Sequence, residues 1–147
     1  QGLALHETFG TMVGQVVELS VTGPKIRIHR ISCAFDCGVV INPRPLEAQL
    51  RGSIVWGLTA ALMGEINIDQ GRIRQSNFHD YRLLRLSQVP DVDLVPVLSG
   101  GAPSGVGEPA VPPVAPALVN ALYRATGKRV RRLPISREGF SLAPREG

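Results

Sequence analysis

Apolar and polar residues alternate on both sides of Thr22-Gly-Pro-Lys25, and that alternation limits the folds open to this chain more than any other feature. Before the turn, Val13, Gln15, Val17, Leu19 and Val21 fall on one side, with Val16, Glu18 and Ser20 on the other. The later part of the stretch Leu3 to Val21 therefore predicts a strand with one buried face. After the turn, Ile26, Ile28, Arg30 and Ser32 alternate with Arg27, His29 and Ile31, which completes a hairpin. A sheet with one apolar face needs something to cover it. Two helical patterns downstream supply the cover.

The first runs from Leu46 to Met63, behind Pro43 and Pro45, with Leu46, Leu50, Ile54, Leu58, Ala61 and Leu62 at helical spacing. Gly52 and Gly57 interrupt it, each at a cost of about 1 kcal/mol relative to alanine. Close approach of another element or of a ligand would explain them, and Gln49 aims an amide toward the same place. The second pattern takes Val111, Val114, Leu118, Ala121, Leu122 and Ala125 to a stop at Gly127, with prolines 112, 113 and 116 confined to its start. Glu65 to Ser76 reads as strand, turn and strand around Asp69-Gln-Gly71, and Val92 to Leu98 as an edge strand marked by Pro96. Arg129 to Ile135 is strand-like, and Ser136 to Gly147 is a tail without strong signals. The expected class is α+β, with antiparallel strands and hairpins and two main helices packed on one face. No internal repeat or boundary divides residues 1–147, which are expected to form a single domain.

Charge and cysteine content exclude several functions. The net charge of +4 owes much to Lys128-Arg-Val-Arg-Arg132, a local patch without nearby stacking aromatics, so nucleic acid is not an expected partner. Cys33 and Cys37 stand four apart in a strand-like segment, about 13 Å if extended, too far for a disulfide. Two thiols are also too few for a zinc site. His6 and His29 are isolated. His79, Asp80 and Tyr81 resemble a proton relay, but no nucleophile motif accompanies them, so they read as a structural hydrogen-bond cluster. No run is long and apolar enough for a membrane span, and the N-terminus has neither a signal-peptide layout nor an initiator Met, as expected of a processed chain or a piece of a longer one.

The unusual chemistry lies in Ser99 to Pro109, where Gly100, Gly101, Gly105 and Gly107 surround one ionisable residue, Glu108. One reading is a solvated or helix-capping carboxylate. Another is a carboxylate held by tight backbone over a cofactor, partly buried and poised to take a proton. Gly105 to Ala110 also matches the dinucleotide fingerprint G-x-G-x-x-[GA]. The acidic residue expected about 20 positions on is absent, however, and Glu108 would face the pyrophosphate.

Three segments together resemble the C-terminal part of the molybdopterin-binding large subunit of the xanthine oxidase family. The resemblance is to the branch with isoquinoline 1-oxidoreductase beta subunits and bacterial aldehyde dehydrogenases. They are Asp36-Cys-Gly-Val-Val-Ile-Asn-Pro43 with Gln49-Leu-Arg-Gly52 and Trp56-Gly57; Gln75 to Arg85; and Gly101-Ala-Pro-Ser-Gly-Val-Gly-Glu-Pro109 with Pro112 to Leu118 and Thr126 to Arg129. The resemblance implies oxidation of an aldehyde or N-heterocycle by water-derived hydroxylation, with hydride transfer to a molybdenum sulfido group and Glu108 as the base. Gln49, Gly52, Ser104, Gly105, Val106 and Gly107 would contact a molybdenum–pterin cofactor, as the pterin alone or its cytosine dinucleotide. No side chain of this chain is implied as a metal ligand. The implied partners are the rest of the molybdopterin-binding subunit, an iron–sulfur subunit carrying the clusters, a further electron-transfer subunit in some members and a small-molecule substrate. Members of the branch occur in the bacterial cytoplasm and as exported enzymes. The chain alone is expected to be inactive. Two other readings remain: a nucleotide- or anion-binding module built on the Gly105–Gly107 loop, and a non-catalytic subunit-interaction domain.

Overall fold

The computed structural model describes residues 1–143. In chain order its elements are β1 (Gly2–Thr8), β2 (Thr11–Thr22), β3 (Lys25–Asp36), α1 (Pro43–Leu62), β4 (Ile68–Asp69), β5 (Arg72–Ile73), β6 (Asp91–Pro96), α2 (Val114–Thr126) and β7 (Ser141–Leu142). β1, β2 and β3 form an antiparallel meander. β6 and β7 then join β3 in parallel, β6 alongside Arg30–Phe35 and β7 alongside Lys25–Ile26. The class is α+β as expected, and the sheet is mixed.

The strand expected in the later part of Leu3 to Val21 is β2, and the earlier part forms a second strand, β1. Phe9 and Gly10 both take positive φ, 53° and 76°, and make a two-residue hairpin loop. The second hairpin turns at Gly23-Pro24, as its sequence predicts. Within it the register slips between Glu18 and Leu19, so that Arg30 and Ile28 pair with neighbouring residues and His29 is the extra one. This bulge reverses the phase of β3. Ile31 therefore joins Ile26 in the core instead of lying on the polar side with Arg27.

Both helices lie on the face bearing Val13, Gln15, Val17, Ile31, Cys33, Phe35 and Val92, all buried. Asn42 caps α1, its side chain accepting from the Arg44 N–H at 3.3 Å, while Pro43 and Pro45 occupy the first turn, where no donor is needed. α2 ends at Gly127 in the left-handed region. It lies so close to β1 that a Cβ on Gly2 would sit 2.1 Å from the Ala121 nitrogen. The opposite sheet face presents Leu3, Leu5, Met12 and Val95 to solvent. Among the described residues no helix is long and apolar enough to cross a membrane.

Two expectations are corrected in the C-terminal third and the β4–β5 hairpin. Residues 129–135 do not form a strand: Val130 and Ile135 are buried and the segment passes through a cis Leu133–Pro134 bond into a 3-10 turn, Ile135–Glu138. Two basic residues at its start are local anchors, Arg129 stacked 3.7 Å over the Tyr123 ring and the preceding Lys128 5.2 Å from the Phe140 ring. The tail contributes to the 3-10 turn and forms β7, and positions 144–147 of it lie outside the described residues. The β4–β5 hairpin is only two residues on each side. Arg137 ties it to the 3-10 turn through Glu65 and Asn67, and that guanidinium holds the Glu65 carboxyl below its usual range.

Candidate functional site

Past the edge strand β6 the chain must cross the open end of the sheet before α2 begins, and its backbone is tied down along the way. The Val97 N–H donates to Phe35 O at 2.8 Å and the Ser104 N–H to Cys37 O at 3.0 Å. Gly101 O accepts from the Val39 N–H, and the Gly105 N–H donates to Phe9 O, both at 3.0 Å. Gly38 is required at this crossing. It holds φ at 71°, and a Cβ there would lie 2.1 Å from Ala102 O. Asp36 closes the root of the loop by accepting from the Gly38 N–H at 3.0 Å and the Ser99 hydroxyl at 2.8 Å. These two bonds, the first being the larger influence, hold its carboxyl below the usual range.

Beyond Ser104, side chains take over from backbone. Thr11 Oγ1 donates to Gly105 O at 2.7 Å and lies 2.6 Å from Ser104 Oγ. Gln49 Nε2 donates to Gly107 O at 3.0 Å, and Gln15 Nε2 to Ala110 O at 2.8 Å. Each of these carbonyls is turned toward the scaffold. Pro109 and Ala110 are buried, whereas the Glu108 carboxyl is exposed, so the burial expected of it is absent in this chain. It does not cap α2, whose N-cap is Pro113. The helix opens well after Ala110, so the glycine fingerprint does not form the helix-opening turn that a dinucleotide site requires.

Glu108, Gly107, Gln49, Gly52, Ser53, Trp56 and Val111 line one cleft of about 360 Å³. Ser104, Val106 and Gln49 face a second of about 240 Å³, with Cys37, Ile41 and Asn42 opposite. Six of the seven predicted residues thus border two adjoining clefts that share Gln49. Gly105 has a packing role instead, since a Cβ there would come within 2.7 Å of the Phe9 Cβ. Larger clefts of about 430 and 710 Å³ lie elsewhere and include none of the seven. The 360 Å³ cleft brings the Glu108 carboxylate beside the bare backbone of Gly52 and Gly107.

Sequence reasoning about this site did not reach Thr11, Gln15 or Trp56. Trp56 is 74% exposed on the cleft side of α1, an unusual setting for an indole. Thr11 and Gln15 left one signal, two polar residues on the inner face of β2. Asp80 takes the structural role expected of it, accepting from the Ser76 and Asn77 N–H groups within 3.0 Å. These bonds lower its pKa to about 2. Both cysteines are free and buried, and burial pushes the Cys33 thiol up to about 11. Among the described residues no group of three or more His, Cys, Asp or Glu could hold a metal ion.

Residues 5–90 match the molybdopterin cofactor-binding domain family, and the chain belongs to it. It is 40% identical over 110 residues to the isoquinoline 1-oxidoreductase subunit beta of Brevundimonas diminuta, covering 75% of this chain and 14% of that protein. It is 31% identical over 137 residues to the aldehyde oxidoreductase molybdenum-binding subunit of Escherichia coli, covering 86% and 19%. The chain therefore spans less than a fifth of the relatives it matches. The fold superposes on that of quinoline 2-oxidoreductase from Pseudomonas putida with a TM-score of 0.77, at 24% identity over 85% of this chain and 17% of that one.

Proposed function

We propose that the chain is the C-terminal portion of the molybdenum–pterin-binding subunit of a molybdenum hydroxylase, that it folds as one domain within that subunit, and that Glu108 is the base. The observation that carries this reading is a carboxylate whose loop is pinned on both sides by side-chain hydrogen bonds to its carbonyls, in the same cleft as Gln49 and Gly52.

The residues present fit a flat organic cofactor. Ideal Cβ positions on Gly52 and Gly107 meet nothing within 4 Å, and both residues line that cleft, so it is bordered by bare backbone from a helix on one side and a loop on the other. Gln49, Gly52, Ser104, Val106 and Gly107 would hold the molybdenum–pterin group, in its cytosine dinucleotide form or without the nucleotide, and Gly105 would set the loop's course. When bound, that group supplies an electrophilic centre and a two-electron acceptor for water-derived hydroxylation of an aldehyde or an N-heterocycle.

Glu108 accepts a proton at a carboxylate oxygen from the water-derived nucleophile. A base placed in this way contributes roughly 10²- to 10⁴-fold. Gln49 fixes the carbonyl that precedes Glu108, so the loop cannot swing the carboxylate away. The remainder of the subunit closes the cleft and excludes water around the carboxylate. An iron–sulfur subunit, with a further electron-transfer subunit in some assemblies, removes the electrons, and the chain alone does not turn over.

Glu108→Gln in the assembled complex tests the reading. Turnover is expected to fall within that range or below detection, with molybdenum and pterin content unchanged. Unchanged turnover would overturn it. Retained turnover with altered anion affinity would favour an anion-binding loop instead.

A further inference from the structure

Gln15 sits on β2, fully buried, between Val13 and Val17 and beside Cys33. Its Nε2 donates to Ala110 O at 2.8 Å, and its Oε1 has no hydrogen-bond partner among the described residues. A buried amide oxygen without a partner opposes folding, and an apolar side chain of similar volume would avoid that penalty while leaving the buried Ala110 carbonyl without its donor. Packing alone therefore gives a poor reason for glutamine at this position.

A better reason lies at the other end of its hydrogen bond. Ala110 lies within the turn from Glu108 to Val111, in which the Glu108 carbonyl accepts from the Val111 N–H at 3.1 Å. Thr11 faces the same side of β2 and holds Gly105 O. Two inward residues of one strand thus fix the loop before and after Glu108. That strand has a paired neighbour on each side, β1 and β3, which makes it a rigid reference. Gln49 adds a third bond, from α1.

We propose that Gln15 is a positioning residue that fixes Glu108 for proton transfer by holding the Ala110 carbonyl, and that it is kept in spite of the unpaired Oε1. This inference rests on the reading of Glu108 as the base.

The test uses the assembled, cofactor-loaded complex carrying Gln15→Met or Gln15→Leu, each close to glutamine in volume and without a donor. With the donor gone, the turn carrying Glu108 shifts, and small misplacements of a reacting group cost roughly 10- to 100-fold in rate. The expected result is a kcat lower by that factor, KM within about twofold of wild type, molybdenum and pterin content unchanged, and a thermal midpoint unchanged or modestly lowered, because the buried Ala110 carbonyl loses its donor. Hydrogen exchange should quicken at residues 105–111 and stay unchanged in α2. In the Glu108→Gln background, Gln15→Met should cause no further loss, because Gln15 acts through Glu108.

Wild-type kcat in both Gln15 variants overturns the proposal. So does a lower midpoint with unchanged turnover per molybdenum, or failure of both variants to assemble, since either outcome gives Gln15 a role in folding only. If Glu108→Gln alone keeps full turnover, the reading of Glu108 fails and takes the Gln15 proposal with it. If Glu108→Gln is inactive while the Gln15 variants are normal, only the positioning role is lost.

Discussion

Helix α1 carries two glycines that face different surroundings. At Gly57 a Cβ would lie 2.8 Å from Val114 Cγ2 and 3.0 Å from Val111 O, so the missing side chain lets α2 begin directly against α1. At Gly52 a Cβ would meet nothing within 4 Å, and the space it would enter is the cleft shared with Glu108. Both glycines carry the same cost in helix propensity. Only the first recovers it through packing within this chain. The contrast extends outward from each. On the Gly57 side, Val114, Leu118, Ala121 and Gly2 bring α2 onto the sheet by apolar contact. On the Gly52 side, Thr11, Gln15 and Gln49 hold a loop through its carbonyls. The packed side sets the shape of the molecule, and the polar side fixes the loop that carries Glu108.

Substitutions at the glycines should break this contrast with opposite signs. The largest loss is expected from Gly2→Ala, because the added Cβ would meet backbone atoms of α2, Ala121 N at 2.1 Å and Ala117 O at 2.3 Å. Backbone cannot rotate out of the way, so α2 must lift from β1 at a cost of about 3 kcal/mol. Hydrogen exchange across residues 114–126 should rise sharply. If it does not, the close approach is not a requirement of the fold. Gly57→Ala meets the more yielding Val114 side chain first. Overpacking of about 1 to 3 kcal/mol less about 1 kcal/mol of regained helix propensity leaves a net loss of roughly 1 kcal/mol.

Gly52→Ala should reverse the sign. With open space around the new methyl group, the helix is expected to gain about 1 kcal/mol. The same methyl group would project into the cleft, so molybdenum and pterin content of the assembled complex should fall. A more stable helix with undiminished cofactor would show that the space at Gly52 is not kept for a ligand.

The two sides also differed in how readily the chain's order of residues revealed them. The packed side is written in local periodicity: Leu46, Leu50, Ile54 and Leu58 for α1, and Val114, Leu118 and Leu122 for α2, with prolines and Gly127 at the ends. The Phe9-Gly10 turn went unread because phenylalanine is an unusual residue at φ of 53°, and the bulge at Glu18/Leu19 because nothing in the alternation of β3 marks a phase change. The parallel pairing of β6 with β3 joins residues about 60 apart, beyond the reach of local pattern. At the candidate site, Gln49, Gly52 and Glu108 drew attention because they stand in motifs. Thr11 and Gln15 act on backbone carbonyls 94 and 95 residues away, and a carbonyl has no residue identity to recognise. The glutamine in an apolar stripe was the visible anomaly.

Acid should separate the two sides by the smallest effect. Asp36 is exposed to titration at the root of the loop, and its carboxyl is held below its ordinary 3.8 by the Gly38 N–H and then by the Ser99 hydroxyl. Its folded value lies below its unfolded one, so the stabilisation it adds is complete above the ordinary carboxylate range. That contribution is lost as pH falls through the folded value, below 3.8. Protonation weakens both bonds and loosens the crossing of residues 36–38 with 99–102. On the packed side, Val114, Leu118 and Ala121 meet the sheet through apolar contacts, which do not depend on a carboxylate. Between pH 5 and pH 3, exchange of the Val39 amide, which is bonded to Gly101 O, should therefore quicken before that of α2 amides. Other carboxylates titrate over the same range, so Asp36→Asn supplies the control. It removes the charge while keeping an oxygen that can accept, and the difference in acid response between Val39 and α2 should shrink. If the two regions loosen together in both proteins, the loop is not held independently of the packed core, and the division drawn from Gly52 and Gly57 fails.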